Sequence, residues 1–417
     1  MNNGPITLTL DAMAHGGDAI GRHEGKAIFV PYTIPGETVR VEIIDDRDRY
    51  ARARPVEIVD PSPARTQPPC PYFGMNKCGG CQWQHIDYEV QAKIKGMVVV
   101  DQFSRVGKFE EPPVFEPIPD ADGWEYRNHA LFRVDPQGNL GFLSSGSHRV
   151  YPVDDCLIIH PLLRQLRQDL DMTYPELEWL EMRAGTATED LMVLLQAKEE
   201  ESPSLSVDFP LSIVQIRHDD AVSPLIGLDY ITEKVHDREF RISATSFYQV
   251  NSAQAAELVN IVMGALDLHG HETVLDAYCG VGLFSAFIAR EAGFVLGIEG
   301  NPPAVADARH NLSDFDHVDI LQGAVEELVP ILDVSLDAVV VDPPRTGLDR
   351  HALDGLADHE PERIVYVSCD PATLARDCRR LVRQGYILEW VQPVDLFPQT
   401  YHIENVALLT LGGTAQI

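Results

Sequence analysis

Four short segments of the 417-residue chain place reactive side chains beside glycine or proline turns. The first is Asp276-Ala-Tyr-Cys-Gly-Val-Gly282, followed 23 residues after Asp276 by Glu299. Glycines let a backbone approach a ligand closely, and an acid after the next strand suits a ribose diol. A full G-x-G-x-x-G is missing because Phe284 and Ser285 follow, so a nicotinamide dinucleotide fits less well than S-adenosylmethionine, which has no pyrophosphate to cradle. The second is Val341-Asp-Pro-Pro-Arg345, a stiffened loop holding Asp342. The third is Val367-Ser-Cys-Asp-Pro371, where Cys369 precedes a helix whose positive end favours a thiolate nucleophile. The fourth is Phe397-Pro-Gln-Thr-Tyr-His-Ile-Glu404, whose carboxylate is a candidate general base.

A fifth constellation is metal-like: Cys70, Cys78 and Cys81 in a Cys-x7-Cys-x2-Cys pattern, with a remote Cys156. Three clustered thiols plus one distant thiol suit a 4Fe–4S cluster or a tetrahedral zinc. The radical-type Cys-x3-Cys-x2-Cys is not present. Cys279 and Cys378 read as packing residues. The odd count of seven cysteines argues against a disulfide framework.

The elements needed to position these residues are legible as pattern. Residues 6–59 alternate apolar and polar side chains with glycine punctuation, which predicts a small barrel of about five strands. Prolines at 61, 63, 68 and 69 form a linker into Cys70. From about 115 to 245 short strands and helices mix, with a hairpin around Gly138 and an acidic, irregular stretch near 199–208. From about 246 apolar strands alternate with helices, which predicts a mainly parallel α/β sheet with its chemistry at the carboxyl ends of the strands. The expected architecture is a barrel over 1–60, a mixed α+β central domain over 61–245 and a Rossmann-like catalytic domain over 246–417, with part of 82–114 packing on the last.

Composition constrains the partners. Hydrophobic residues make up 45% and charged residues 23%, the mixture of a chain that builds a core. No apolar run is long enough for a membrane span, and the N-terminus has no signal-peptide pattern, so a cytoplasmic monomer is expected. With 33 Lys+Arg against 64 Asp+Glu the net charge is −31, unfavourable for a phosphate backbone. Residues 1–100 are nearly neutral, however, with 11 basic and 12 acidic side chains. Arg47, Arg49, Arg52 and Arg54 form a basic strip there, and together with Arg127, Arg133 and Arg345 they are the local cations available to a phosphate backbone.

DAYCGVGLFS, DPPRTGL, VSCDPATLARD and FPQTYHIENVALL occur in order, and together they resemble the RNA (uracil-5-)-methyltransferases. The N-terminal part is similar to a TRAM domain through AIFVPYTIPGETVRVEI, YARA and PSPAR. The resemblance implies a class I methyltransferase fold and S-adenosylmethionine-dependent methylation of carbon 5 of an RNA uridine. It implies Cys369 as nucleophile, Glu404 as base, and Gln249, Tyr278, Glu299 and Asp342 as cofactor contacts. Cys70, Cys78, Cys81 and Cys156 resemble the family's 4Fe–4S ligands, zinc being the lesser alternative, and the cluster reads as structural. The expected substrate is 23S ribosomal RNA, with transfer RNA the alternative. A cytosine-5 enzyme fits less well, because Ser368 rather than proline precedes Cys369. A non-catalytic RNA-binding protein with a vestigial methyltransferase fold is the reading from a different class, and intact Cys369, Glu404 and Asp342 speak against it.

Overall fold

The computed structural model describes residues 4–170, 176–198 and 208–412. The expected acidic stretch lies, over 199–207, outside the described residues. Strands β1 (Ile6–Met13), β2 (Ala19–His23), β3 (Lys26–Val30), β4 (Thr38–Asp46) and β5 (Tyr50–Asp60) close into a barrel in the order β1-β2-β3-β5-β4. The period-two pattern turns Leu8, Leu10, Val39, Val41, Ala51 and Ala53 inward, and closure leaves no exposed strand edge. Helix α1 (Tyr88–Gln102) serves two cores. Its Ile94 and Val98 pack with Trp83 and Ile86 against the barrel, while Val99 and the following Phe103 enter the core beneath the catalytic sheet.

The middle of the chain builds β6 (His129–Val134), β7 (Leu140–Leu143), β8 (Val150–Pro152), α2 (Pro161–Asp169), β9 (Leu177–Ala184), β10 (Leu191–Ala197), β11 (Ser212–Ile216) and β12 (Val222–Ile226). They form a seven-stranded sheet in the order β12-β11-β10-β9-β6-β7-β8. The expected hairpin at Gly138 joins β6 to β7, with the Asp135 carboxylate accepting from the amides of Gln137 and Asn139. A two-stranded hairpin, β13 (Tyr230–Val235) and β14 (Arg238–Ser243), leads onward.

The last part runs α3 (Ser252–Leu266), β15 (Thr273–Ala277), α4 (Leu283–Ile288), β16 (Phe294–Glu299), α5 (Pro302–Asn311), β17 (Val318–Gln322), α6 (Val325–Leu328), β18 (Ala338–Val341), α7 (Arg350–Asp358), β19 (Arg363–Ser368), α8 (Pro371–Arg383), β20 (Tyr386–Val394) and β21 (Glu404–Leu411). Their sheet has the order β17-β16-β15-β18-β19-β21-β20, parallel from β17 to β19 and closed by the antiparallel β21 and β20. Helices cover both faces, so the central strands are continuous apolar runs such as Val339 to Val341, all at 0% exposure. β17 escaped the sequence reading because VDILQ is short, half polar and at the sheet edge. Strand order reverses between β15 and β18, which opens a crevice at their carboxyl ends.

Candidate active site

That crevice is a cavity of about 490 Å3 lined by Gln249, Tyr278, Glu299, Asp342, Cys369 and Glu404, among others. Six of the ten residues singled out for chemistry therefore meet in one place. The register explains how. Ala277 pairs with Val341 between β15 and β18, so the turns carrying Tyr278 and Asp342 leave the sheet side by side. Ser368 pairs with Asn405 between the antiparallel β19 and β21, which sets Cys369 across from Glu404. The Asn405 side chain ties the two strands further by donating to the Ser368 carbonyl at 3.1 Å.

The glycine turn is held open by left-handed backbone at Tyr278, Gly280 and Gly282, with φ of 64°, 56° and 87°. A side chain at Gly280 would meet nothing within 4 Å, so the turn faces open space there. Glu299 accepts from the amides of Gly280 and Asn301 at 3.0 and 2.6 Å, which fixes its carboxylate at the cavity rim. Gln249 lies 3.5 Å from the Asp342 carboxylate through its amide nitrogen. Its carbonyl accepts from Asn128, which connects the middle sheet to the crevice. Phe247, two residues before Gln249, lines the cavity while 65% exposed, an aromatic the sequence reading passed over.

Electrostatics inside the cavity favour neutral acids. Asp276, fully buried beneath the turn, is pushed up to about 7 by desolvation, although it accepts from the Ser285 amide and hydroxyl. Burial, with repulsion from Asp276, pushes Asp342 up to about 7, and burial, with repulsion from Asp342, raises Glu404 as well. One Glu404 oxygen is buried with no hydrogen-bond partner among the described residues. Cys369 is pushed up to about 12, chiefly by burial and then by Glu404, while Arg345 hydrogen-bonds to it and opposes the shift. The expectation of a helix-stabilised thiolate is thus corrected. Asp370 is the N-cap of α8 and its carboxylate takes the free amides of Ala372 and Thr373. Arg345, one of the cations available to a phosphate backbone, faces the thiol.

The four remaining candidates, Cys70, Cys78, Cys81 and Cys156, line a separate cavity of about 300 Å3 together with Phe73, Phe142 and Ile158. Burial raises Cys78, Cys81 and Cys156, and charge on neighbouring cysteines adds to it: Cys70 acts on all three, Cys78 on Cys81 and Cys156, and Cys156 on Cys81. Among the described residues no three metal-ligating side chains stand at the spacing of a single bound ion. Arg127 lines both this cavity and the active-site crevice, with its Nε buried and unpaired. Cys279 and Cys378 are buried in the two sheet cores, as their packing reading requires.

The chain matches two family models, one described as tRNA (Uracil-5-)-methyltransferase over residues 206–411 and one as a TRAM domain over 5–56. An uncharacterized RNA methyltransferase of Halalkalibacterium halodurans is 36% identical, the alignment covering 98% of this chain and 97% of that protein. Another from Streptomyces coelicolor is 37% identical over 95% and 91%. The chain belongs to the RNA (uracil-5-)-methyltransferase family. The crystal structure of Pyrococcus abyssi tRNA (uracil-54, C5)-methyltransferase, solved with S-adenosyl-L-homocysteine, superposes with a TM-score of 0.78 at 26% identity, covering 97% of this chain and 99% of that one.

This RNA methyltransferase, which uses S-adenosylmethionine, carries its TRAM barrel directly against the crevice motifs. His15 Nε2 lies 3.0 Å from the Asp370 carboxylate, beside Cys369. Trp83 donates its indole N–H to the Gly17 carbonyl at 3.0 Å, and Tyr401 packs so closely on Gly17 that an added Cβ would sit 2.7 Å from its ring. The arginine strip on the barrel is largely compensated: Arg47 pairs with Asp45, Arg52 with Asp18 and Arg54 with Glu42. None of the helices among the described residues is long and apolar enough to cross a membrane.

Proposed function

We propose that this enzyme methylates carbon 5 of an RNA uridine through a covalent adduct with Cys369, using Glu404 to remove the hydrogen from carbon 5. The supporting observation is that the thiol and the carboxylate face each other across β19 and β21 in the crevice that also contains the glycine turn. A uracil ring is too electron-poor at carbon 5 to attack an electrophilic methyl group. The Cys369 thiol loses its proton to water at the crevice mouth, the thiolate Sγ forms a bond to carbon 6, and the electron pair of the double bond between carbons 5 and 6 moves onto the oxygen at carbon 4 as an enolate. Arg345 assists by holding positive charge beside the thiol, the one group there that opposes its raised pKa.

S-adenosylmethionine supplies the methyl group on a cationic sulfur. Gln249, Tyr278, Glu299 and Asp342 would hold it, and the fit is good: Gly280 leaves room for close approach, and a bound cation would favour the ionised forms of the buried acids Asp342 and Glu404 beside it. After transfer, carbon 5 carries both a methyl group and an acidic hydrogen. Glu404 takes that proton, the double bond between carbons 5 and 6 re-forms, and the Cys369 thiolate is expelled. Burial makes Glu404 a stronger base once ionised, and its unpartnered oxygen is free to receive the proton.

Cys70, Cys78, Cys81 and Cys156 would hold a structural 4Fe–4S cluster. A tetrahedral zinc would draw its thiolates to about 3.8 Å from one another, given Zn–S bonds of about 2.3 Å. These four side chains line one cavity of about 300 Å3, room for a multi-atom group, and zinc is the lesser alternative. The barrel over 1–60 and the segment 61–245 grip RNA around a target base flipped into the crevice. Large-subunit 23S ribosomal RNA is the substrate favoured from the sequence. Transfer RNA is the second reading, and the observation that favours it is the Pyrococcus abyssi enzyme, whose alignment spans 97% of this chain, barrel included.

The test uses 5-fluorouridine-substituted 23S fragments and transfer RNA with S-adenosylmethionine. Fluorine at carbon 5 cannot leave as a proton, so the enzyme stalls as an adduct that survives a denaturing gel. The adduct must vanish in Cys369→Ala, and the RNA that forms it identifies the substrate class. No adduct with either RNA overturns the mechanism.

A further inference from the structure

A groove of about 770 Å3 opens beside the crevice, between α7, α8 and the Pro344–Asp349 loop. Tyr278 and Pro344 line both spaces, so the groove begins at the wall of the active site. Arg350, Arg376, Arg379, Arg380 and Arg383 line it, a concentration of cations in a chain whose net charge is −31. Four of them follow the i, i+3, i+4, i+7 rhythm along α8, which puts them on one helical face.

Their partners separate structural arginines from free ones. Arg376 donates to Asp377 at 2.8 Å and to the Thr346 carbonyl at 2.9 Å, and it holds the loop. Arg380 forks onto Asp354, and the same carboxylate is shared by Arg350 at 3.6 Å, so one acid serves two cations. Arg379 and Arg383 have no carboxylate, carbonyl or ring partner among the described residues, and Arg383 is exposed. The acids in the groove are largely committed: Asp377 accepts from the Leu348 amide and the Tyr366 hydroxyl, and Asp349 caps α7. Glu326 also lines the groove and is exposed.

A groove that keeps two unpaired guanidinium groups and leads away from a base-flipping crevice has the chemistry of a phosphodiester track. Arg379 and Arg383 are one helical turn apart, about 6 Å along the axis at 1.5 Å per residue, a step comparable to successive phosphates of an extended strand. On the barrel, by contrast, three of the four strip arginines already have carboxylates. We propose that this groove is a second RNA-binding surface, in which Arg379 and Arg383 hold backbone phosphates of the strand flanking the target uridine. The proposal rests on the RNA substrate of the preceding reading and adds a location for the strand that neither the barrel nor the crevice provides.

The test compares wild type, Arg379→Gln/Arg383→Gln and the barrel control Arg52→Gln/Arg54→Gln, all with the cysteine site intact. The probe is a fluorescent 20-nucleotide oligouridine titrated at several salt concentrations. Loss of two phosphate contacts on a single strand lowers the slope of log affinity against log salt by about 1.4, at about 0.7 per contact. The expected result is that slope change with roughly tenfold weaker binding in the α8 variant, and a smaller change in the barrel control. Fluorouridine adduct formation at saturating RNA should stay at the wild-type level, since neither arginine lies in the crevice. An unchanged slope and affinity in the α8 variant overturns the groove and leaves the uracil chemistry standing. A wild type that binds no oligouridine and forms no adduct overturns both readings.

Discussion

Lys95 and Asp395 form an ion pair with both side chains at 0% exposure, 2.6 Å apart. Lys95 also donates to the Phe397 carbonyl at 3.0 Å, so it fastens α1 to the loop that leads to Glu404. Burial drives both groups toward neutrality, lowering Lys95 and raising Asp395, against the attraction between them. Replacement by methionine, which keeps most of the volume, leaves Asp395 buried without its cation. Breaking such a pair from one side costs about 3–5 kcal/mol, because the remaining charge is uncompensated. The loss has a pH signature. Without Lys95 the folded-state pKa of Asp395 rises further above the unfolded value, so the folded protein holds a proton that the unfolded chain releases. Stability of Lys95→Met therefore falls as pH rises between those two values, by about 1.4 kcal/mol per unit. Urea unfolding at pH 5 and pH 8 should show the larger deficit at pH 8. Asn in place of Asp395 keeps the bond from the Phe397 amide while removing the charge, so Lys95→Met/Asp395→Asn should recover about half the loss. A Lys95→Met deficit below about 1 kcal/mol, or one equal at both pH values, refutes the account of a buried, uncompensated carboxylate.

Three further outcomes follow from the crevice and its supports. Arg345 opposes the raised pKa of Cys369, so Arg345→Gln should slow adduct formation about tenfold at pH 7.5 and recover in part at pH 9.5, read by quenched-flow gels; pH-independent loss would assign Arg345 another role. Binding of a cationic sulfonium beside Asp342 and Glu404 lowers their raised pKa values, so S-adenosylmethionine should release protons that neutral-sulfur S-adenosylhomocysteine does not, measured by calorimetry in buffers of different ionisation enthalpy; equal release by both ligands would contradict it. Gly17→Ala puts a methyl group 2.7 Å from the Tyr401 ring at a φ of +85°, and should cost about 1–3 kcal/mol of strain and reduce turnover, whereas wild-type turnover would show that the barrel contact positions nothing.

Much of this protein is written locally. The barrel strands follow from period-two alternation, and the turn at Asp276 to Gly282, the Asp342-Pro-Pro loop and the Ser368-Cys369-Asp370-Pro371 corner follow from residues adjacent in sequence. Such signals survive without tertiary context, because glycine, proline and cap residues act on their own backbone. β17 was missed for the same reason in reverse: a short, half-polar edge strand is recruited by its neighbour and carries little signal of its own.

The residue types alone set the chemistry available: a thiol, carboxylates and a glycine turn at strand ends, four grouped cysteines, and membership of a methyltransferase family. How those groups behave came from the folded arrangement. It set Cys369 opposite Glu404 by strand register, buried the thiol so that its pKa rose, and paired Arg52 with Asp18, which lies just before β2. It left the guanidinium groups of Arg379 and Arg383 free at the mouth of a groove. Reactive groups are a property of residue type, but charge state and availability depend on desolvation and partners, and those are contributed by segments tens to hundreds of residues away.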